Sequence, residues 1–137
     1  MGVKIPYSHQ ASVVLGFNTG ADLTATRYRG VQLYASNTVD AGTGTANTSP
    51  AFMFGIQTSL PLSGSAQDVN VCVFGPTRAI AGAAFTSGIA LTYQTNTGKV
   101  IAITTGTAFS MGWSLEAATA DGEEVTIFVN QTFLSLR

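Results

Sequence analysis

Hydrophobic and polar residues alternate along much of the chain with a period of two. In 69–74 every second residue is a valine, and 125–130 repeats the pattern with Val125, Ile127 and Val129. A period of two sends successive side chains to opposite faces, which indicates a β-strand. Further strands are predicted at residues 12–17, 31–35, 52–57, 89–93, 100–104 and 110–116.

Short segments rich in glycine and asparagine separate these predicted strands. Both residue types adopt positive φ at low cost, as tight chain reversals require. Many short strands at a spacing of about ten residues predict an all-β fold, either a small barrel or a sandwich. One or two short helical turns are expected as interruptions, over 79–85 and 115–120. The glycine- and asparagine-rich segments that separate the predicted strands are Asn18-Thr19-Gly20, Ser63-Gly64-Ser65, Asn96-Thr97-Gly98 and Asp121-Gly122.

Two segments lack the strand period. Residues 1–10 are polar, contain Pro6 and hold the only histidine, so we predict a flexible N-terminal arm followed by a single β-rich domain over 11–137. Residues 36–50 consist largely of Gly, Thr, Ala and Asn, and we predict a solvated loop there, although structureless loops of that length are uncommon. Phenylalanines and Trp113 occur in nearly every predicted strand and are expected to share one core.

The composition narrows the function classes. Charged residues make up only 9% of the chain, against ~25% in typical soluble domains, while 45% is hydrophobic. Disorder is excluded by the apolar content, and nucleic-acid binding by six Lys+Arg against seven Asp+Glu. No stretch is apolar and long enough to span a membrane or to form a secretory leader, so we expect no membrane partner. A surface this poor in charge is typical of protein interfaces.

Catalytic and metal-binding motifs are missing. The one histidine, His9, lies in the predicted arm, and no Gly-x-Ser-x-Gly motif accompanies it. The one cysteine, Cys72, alternates with valines and is predicted to be buried and inert. The Gly42-Thr43-Gly44 run lacks the third glycine and the helix of a dinucleotide-binding loop. We therefore expect no catalytic residue, no cofactor and no metal ion.

The charged clusters are better explained as solvated surface. Asp121, Glu123 and Glu124 surround a glycine turn, and adjacent strand residues point to opposite faces rather than into one site. The segment Arg27-Tyr28-Arg29 holds the only close pair of basic residues, which is too little charge for a phosphate-binding patch.

A spacing of glycines organises the C-terminal half. A strand ends in glycine, and an Ala-rich stretch and a second glycine precede the next strand. That strand ends in an aromatic residue, a Gly-Lys turn follows, and a glycine-led, Ala-rich segment reaches a Gly-Glu-x-Val strand. The residues are Gly75, Gly88, Tyr93, Gly98-Lys99, Gly112 and Gly122-Glu123-Glu124-Val125. Over about residues 69–130, this pattern resembles the small capsid-decoration (cement) proteins of tailed bacteriophages.

The resemblance implies a β-barrel or β-tulip-like domain that forms homotrimers. Such trimers sit outside an icosahedral head, at threefold and quasi-threefold positions, and strengthen the mature shell. The implied partners are the major capsid protein and further copies of the chain, and the implied location is the virion exterior after synthesis in the host cytoplasm. The arm is then a capsid-binding segment that adds a strand to a capsid loop, through Val3, Ile5, Pro6 and Tyr7.

Two alternatives remain beside a decoration protein. One is another minor virion protein, such as a minor capsid protein or a head-fibre base. The other is a carbohydrate-binding β-sandwich that stacks sugars on Trp113, Tyr93 or Tyr28. A sugar-binding protein needs an exposed aromatic beside polar groups, whereas a decoration protein is expected to bury Trp113 in its core or in a trimer interface.

Overall fold

The computed structural model describes residues 12–42, 53–104 and 106–136. Within these residues the chain forms nine strands and no helix, which confirms the all-β prediction. The strands are β1 (Val13–Thr19), β2 (Gly30–Ala35), β3 (Thr38–Ala41), β4 (Met53–Gln57), β5 (Asp68–Ile80), β6 (Ala90–Tyr93), β7 (Val100–Ala102), β8 (Gly106–Ser114) and β9 (Glu124–Leu136).

Five strands close into a barrel in the order β1-β3-β2-β4-β5, and β1 pairs again with β5 to complete the ring. The predicted barrel is therefore confirmed. β1 runs parallel to β3 and antiparallel to β5, with Phe17 opposite Val69. The barrel interior is filled by one cluster of apolar side chains, which are Leu23, Val31, Val39, Val69 and Val71, with Phe17, Ala41, Phe54 and Val73 at its margin.

The long strand β5 links this barrel to a second sheet. Its first half belongs to the barrel, and its second half, Gly75 to Ile80, pairs with β9. The second sheet continues from β9 through β8 and β6 to β7. At its far edge Ala81 forms a bridge with Val100, so β7 lies beside the residues that directly follow β5.

A second and larger apolar cluster lies between the barrel wall and this sheet. Met53, Ile56 and Cys72 contribute from the barrel, and the sheet contributes side chains such as Leu91 and Ile127. The expectation of one shared aromatic core is therefore wrong. Both cores are largely aliphatic. There are two cores because β5 presents one face to the barrel interior and the other to the second sheet.

Neither predicted helical turn is present. Residues 79 and 80 complete β5, where Ala79 lies opposite Val125 on β9. Phe85 and Ala118 form an isolated antiparallel bridge, in which each N–H donates to the other's carbonyl. Long-range pairing with strands far along the chain overrides the local alanine content, because intrinsic helix propensity is weak compared with tertiary contacts.

The predicted loop over 36–50 is wrong in part. Thr38–Ala41 forms strand β3, which pairs with both β1 and β2, while residues 43–50 lie outside the described part of the chain. Three predicted turns are confirmed by positive φ at Gly64, Asn96 and Gly122, whereas Asn18 and Thr19 belong to β1. Also outside the described residues is the predicted arm, with its capsid-binding residues Val3, Ile5, Pro6 and Tyr7.

Candidate functional surface

An aromatic patch lies on the outer face of the second sheet. Phe74 and Phe128 pack edge to face with ring centroids 5.3 Å apart, and Trp113 is the direct cross-strand partner of Phe128. Phe74 is 44% exposed and Trp113 43% exposed, while Phe128 is half-buried. Large side chains grouped in this way and left open to water mark an interaction surface.

Gly112 fixes the position of Trp113 in this patch. The register of β8 against β9 shifts between Ser110 and Gly112, and Gly112 has a φ of 150°. A Cβ at this position would overlap the backbone carbonyl oxygen of Phe128. The local geometry that places Trp113 opposite Phe128 therefore requires glycine.

The charged side chains on this side of the sheet, Arg78, Glu116 and Glu124, are bonded to one another. The guanidinium of Arg78 donates to Glu116 and to Glu124, both at 3.0 Å. The backbone N–H of Thr126 donates to Glu116 and, together with Arg78, holds the pKa of that carboxyl below its usual range. Both carboxylates beside the patch therefore already have a cationic partner within the chain, although the three groups together keep a net charge of −1.

A cleft of about 900 Å³ opens where the start of β1 meets β5. Arg27 and Arg78 both line this cleft, together with Tyr28, and none of the described residues that line it is acidic. The Arg27 guanidinium lies 4.6 Å from the centroid of the Tyr28 ring. Tyr28 adopts a φ of 64°, which is unusual for a bulky residue.

Backbone hydrogen bonds on both sides hold Tyr28 in this conformation. Its N–H donates to the Gln57 carbonyl at 2.7 Å, and its own carbonyl accepts from Ile80 at 3.0 Å. The buried side chain of Gln57 ties down the same loop, because its amide donates to the carbonyl of Leu23 and its oxygen accepts from the hydroxyl of Thr26. The cleft wall is therefore built by long-range contacts.

The sequence candidates for chemistry are dispersed. Cys72 is buried, and burial raises the pKa of its thiol. Asp121 pairs with Lys99 at 2.8 Å, Glu124 pairs with Arg78, and Glu123 accepts hydrogen bonds from Thr119. His9 lies outside the described residues. No group of three or more His, Cys, Asp or Glu that could hold a metal ion occurs among the described residues.

The three aromatic candidates for sugar stacking differ in accessibility. Tyr93 is 2% exposed, so it has no face to offer a ligand. Tyr28 is half-buried, and Arg27 lies over its ring. Trp113 is exposed but neighbours Phe128, which gives it an apolar setting. The expected burial of Trp113 in the chain's own core is wrong, and its burial in a trimer interface stays a prediction.

The aromatic patch was not identified from the sequence, although a signal for it exists. In 125–130 the valines and isoleucine occupy one phase of the alternation, and Phe128 occupies the other phase together with Thr126 and Asn130. For Phe128 this phase indicates a ring on the less buried face of β9. Phe74 gives no such signal, because it shares its phase with Cys72, which is fully buried.

Comparisons with known proteins show a similarity in fold. No protein-family model matches the chain, and no curated protein matches its sequence. Among solved structures, the chain is similar to the head fiber gp8.5 N base of bacteriophage phi29, with a TM-score of 0.57 and 18% sequence identity. The match covers 90% of this chain and 98% of that chain. At this identity the similarity concerns the fold. In the described part of the chain, no helix has the length and apolarity to cross a bilayer.

Proposed function

We propose that this protein is a structural component of a bacteriophage head, bound as a homotrimer to the outer surface of the mature capsid, which it stabilises. The fold similarity to a head-fibre base over nearly the whole chain is the observation that carries this proposal. The decoration-protein pattern in the sequence supports the same class of protein independently. The major capsid protein is the proposed partner.

The aromatic patch is the proposed capsid contact among the described residues. Its neighbouring charges are paired internally, so attachment rests on apolar burial rather than on ion pairs. Apolar contacts are not screened by salt, whereas contacts between exposed charges weaken as ionic strength rises. Binding is therefore expected to persist in high salt.

Stabilisation follows from binding the assembled shell and not its separated subunits. A ligand selective for one state stabilises that state, by about 2.7 kcal/mol per site at a concentration of about 100 times its dissociation constant. Many sites on one head act together. Heating mature heads with and without the protein, in low and in high salt, and recording genome release tests this role. Equal release temperatures at full occupancy would exclude stabilisation, and detachment in moderate salt would exclude apolar attachment.

The patch itself is tested with Trp113→Ala in a co-sedimentation assay with mature heads. A tryptophan at the centre of an interface typically contributes about 2 kcal/mol or more, so binding is expected to weaken about thirtyfold. Leu62→Ser is the matched control, because Leu62 is also apolar and is 76% exposed but lies outside the patch. Equal binding by both variants would exclude the patch as the contact.

A head-fibre base is the second candidate, and the similarity to the phi29 protein favours it. A fibre base also attaches to the head, but it carries a distal fibre and leaves shell stability unchanged. Electron microscopy of heads with and without the protein separates the two roles. Loss of projecting fibres at an unchanged genome-release temperature identifies a fibre base, and a lowered release temperature identifies a decoration protein.

A further inference from the structure

Beyond the second sheet, β8 and β9 continue together as a two-stranded ribbon, formed by residues 106–110 and 132–136. Five register pairs join these two segments. β5 stops pairing with β9 at Val129, and β6 reaches β8 only at residues 112 and 113. Within the described ranges 12–42, 53–104 and 106–136, no third strand lies along either edge of the ribbon.

The sequence of the ribbon does nothing to protect these edges. A free strand edge presents unpaired N–H and C=O groups, and natural proteins guard such edges with charged residues or proline. The ribbon segments contain neither, and they include Phe109, Phe133, Leu134 and Leu136. A two-stranded ribbon alone is only marginally stable in water. The open edges of the ribbon are therefore suited to accept additional strands, and another copy of this chain offers strands of matching length and character.

We propose that β8 of one copy pairs with β9 of the next along the ribbon, and that three copies close this pairing into a ring. β8 and β9 are antiparallel within one copy. Rotation about an axis along the ribbon preserves strand direction, so β8 of one copy lies antiparallel to β9 of its neighbour. Three ribbons of two strands each then form a six-stranded antiparallel barrel.

Closure with three copies pairs both edges of every ribbon. If two copies pair through one edge each, the other edge of each ribbon stays free. Two ribbons would close only four strands, and barrel width grows with strand number. The chain's own barrel closes with five strands around aliphatic side chains. Six strands fall in the same size range, and the ribbon carries the apolar residues that such an interior needs.

The ring supplies the self-association that forms part of the function proposed above, but it needs no capsid and is tested without heads. Light scattering coupled to size exclusion, together with native mass spectrometry, measures the mass of the purified full-length chain. Three chains of 14.2 kDa give about 43 kDa, which is the expected result. A monomer or a dimer would overturn the ring, while failure to bind heads as a 43 kDa trimer would overturn only the capsid role.

A chain ending at Gln131 removes the β9 half of the ribbon and is expected to be a monomer of about 14 kDa. The fold of its two cores is monitored by the near-ultraviolet circular dichroism of the aromatic residues. A trimer that survives this truncation would place the interface elsewhere and overturn the proposal.

Two adjacent proline variants keep the test decisive if the truncated chain does not fold. Successive N–H groups along a strand alternate between the two sides, so one of Leu134→Pro and Ser135→Pro removes an N–H bonded inside the ribbon and the other removes an outward N–H. The outward variant is expected to lower the trimer fraction at least tenfold at equal chain concentration while retaining the native circular dichroism. Intact trimers in both variants would contradict the ring.

Discussion

Replacing Gln57 by leucine isolates the buried hydrogen bonds that hold the loop of Arg27 and Tyr28 against the barrel. Gln57 is fully buried, and its amide donates to the carbonyls of Leu23 at 2.9 Å and of Ser59 at 3.0 Å. Leucine has a similar volume, so packing changes little. In the variant the Leu23 carbonyl still accepts hydrogen bonds from Thr26. The Ser59 carbonyl loses the hydrogen bond that the Gln57 amide donates to it.

An acceptor left unpaired costs about 1–3 kcal/mol, and a second lost hydrogen bond adds about 1 kcal/mol. The free energy of unfolding is therefore expected to fall by about 2–4 kcal/mol. For a chain of this size, each kcal/mol lowers the melting temperature by about 4 °C, so the expected decrease is about 8–16 °C. Differential scanning calorimetry of Gln57→Leu against the unaltered chain measures it.

The matched control is Thr92→Val, which is also a polar-to-apolar change of nearly constant volume. The Thr92 hydroxyl is buried, and within the described residues it has no hydrogen-bond partner. Removing an unpaired buried hydroxyl relieves a penalty of about 1 kcal/mol, so this variant is expected to melt at an equal or higher temperature. A decrease of similar size in both variants, or none in Gln57→Leu, would refute the role given to the hydrogen bonds of Gln57.

Four further predictions concern other parts of the molecule. Gly112→Ala is expected to lower the free energy of unfolding by at least about 1–3 kcal/mol in urea titrations, because the Cβ meets the carbonyl of Phe128; an unchanged midpoint would contradict the bulge geometry. Cys72 is expected to react with thiol reagents only as the protein unfolds, since burial raises the pKa of its thiol, and rapid labelling of the native protein would disprove this. Hydrogen bonds from Thr24 and Ser63 lower the pKa of Asp22 from 3.8 to about 2. Its stabilising contribution is thus complete above about pH 4 and is lost as the pH falls toward 2, so Asp22→Asn should lose less melting temperature over that interval than the unaltered chain. Deleting residues 1–10, the arm predicted from the sequence, is expected to leave the melting temperature unchanged and to weaken head binding; unchanged binding would remove the arm from attachment.

The strands with a clear alternation could be predicted from the sequence because alternation reports burial of one face. Residues 69–74 and 125–130 lie within β5 and β9, as their valines indicate. Thr38–Ala41 gave no such signal, since its only large apolar residue is Val39. This strand exists because it pairs with β1 and β2 to close the barrel, which is a long-range condition.

The sequence by itself determined the all-β class, the turns at Gly64 and Gly122 and the burial of Cys72, because each depends on local conformation or on alternation within one strand. Only the tertiary structure decided how the faces of β5 are shared between two cores, and which aromatic rings stay in water. Phe74 and Trp113 are distant in sequence, and they form one patch because Phe128 on β9 lies beside both. A surface assembled by strand pairing across the chain is set by the topology of the sheet. That topology depends on pairing between distant segments, so it cannot be read from any one segment alone.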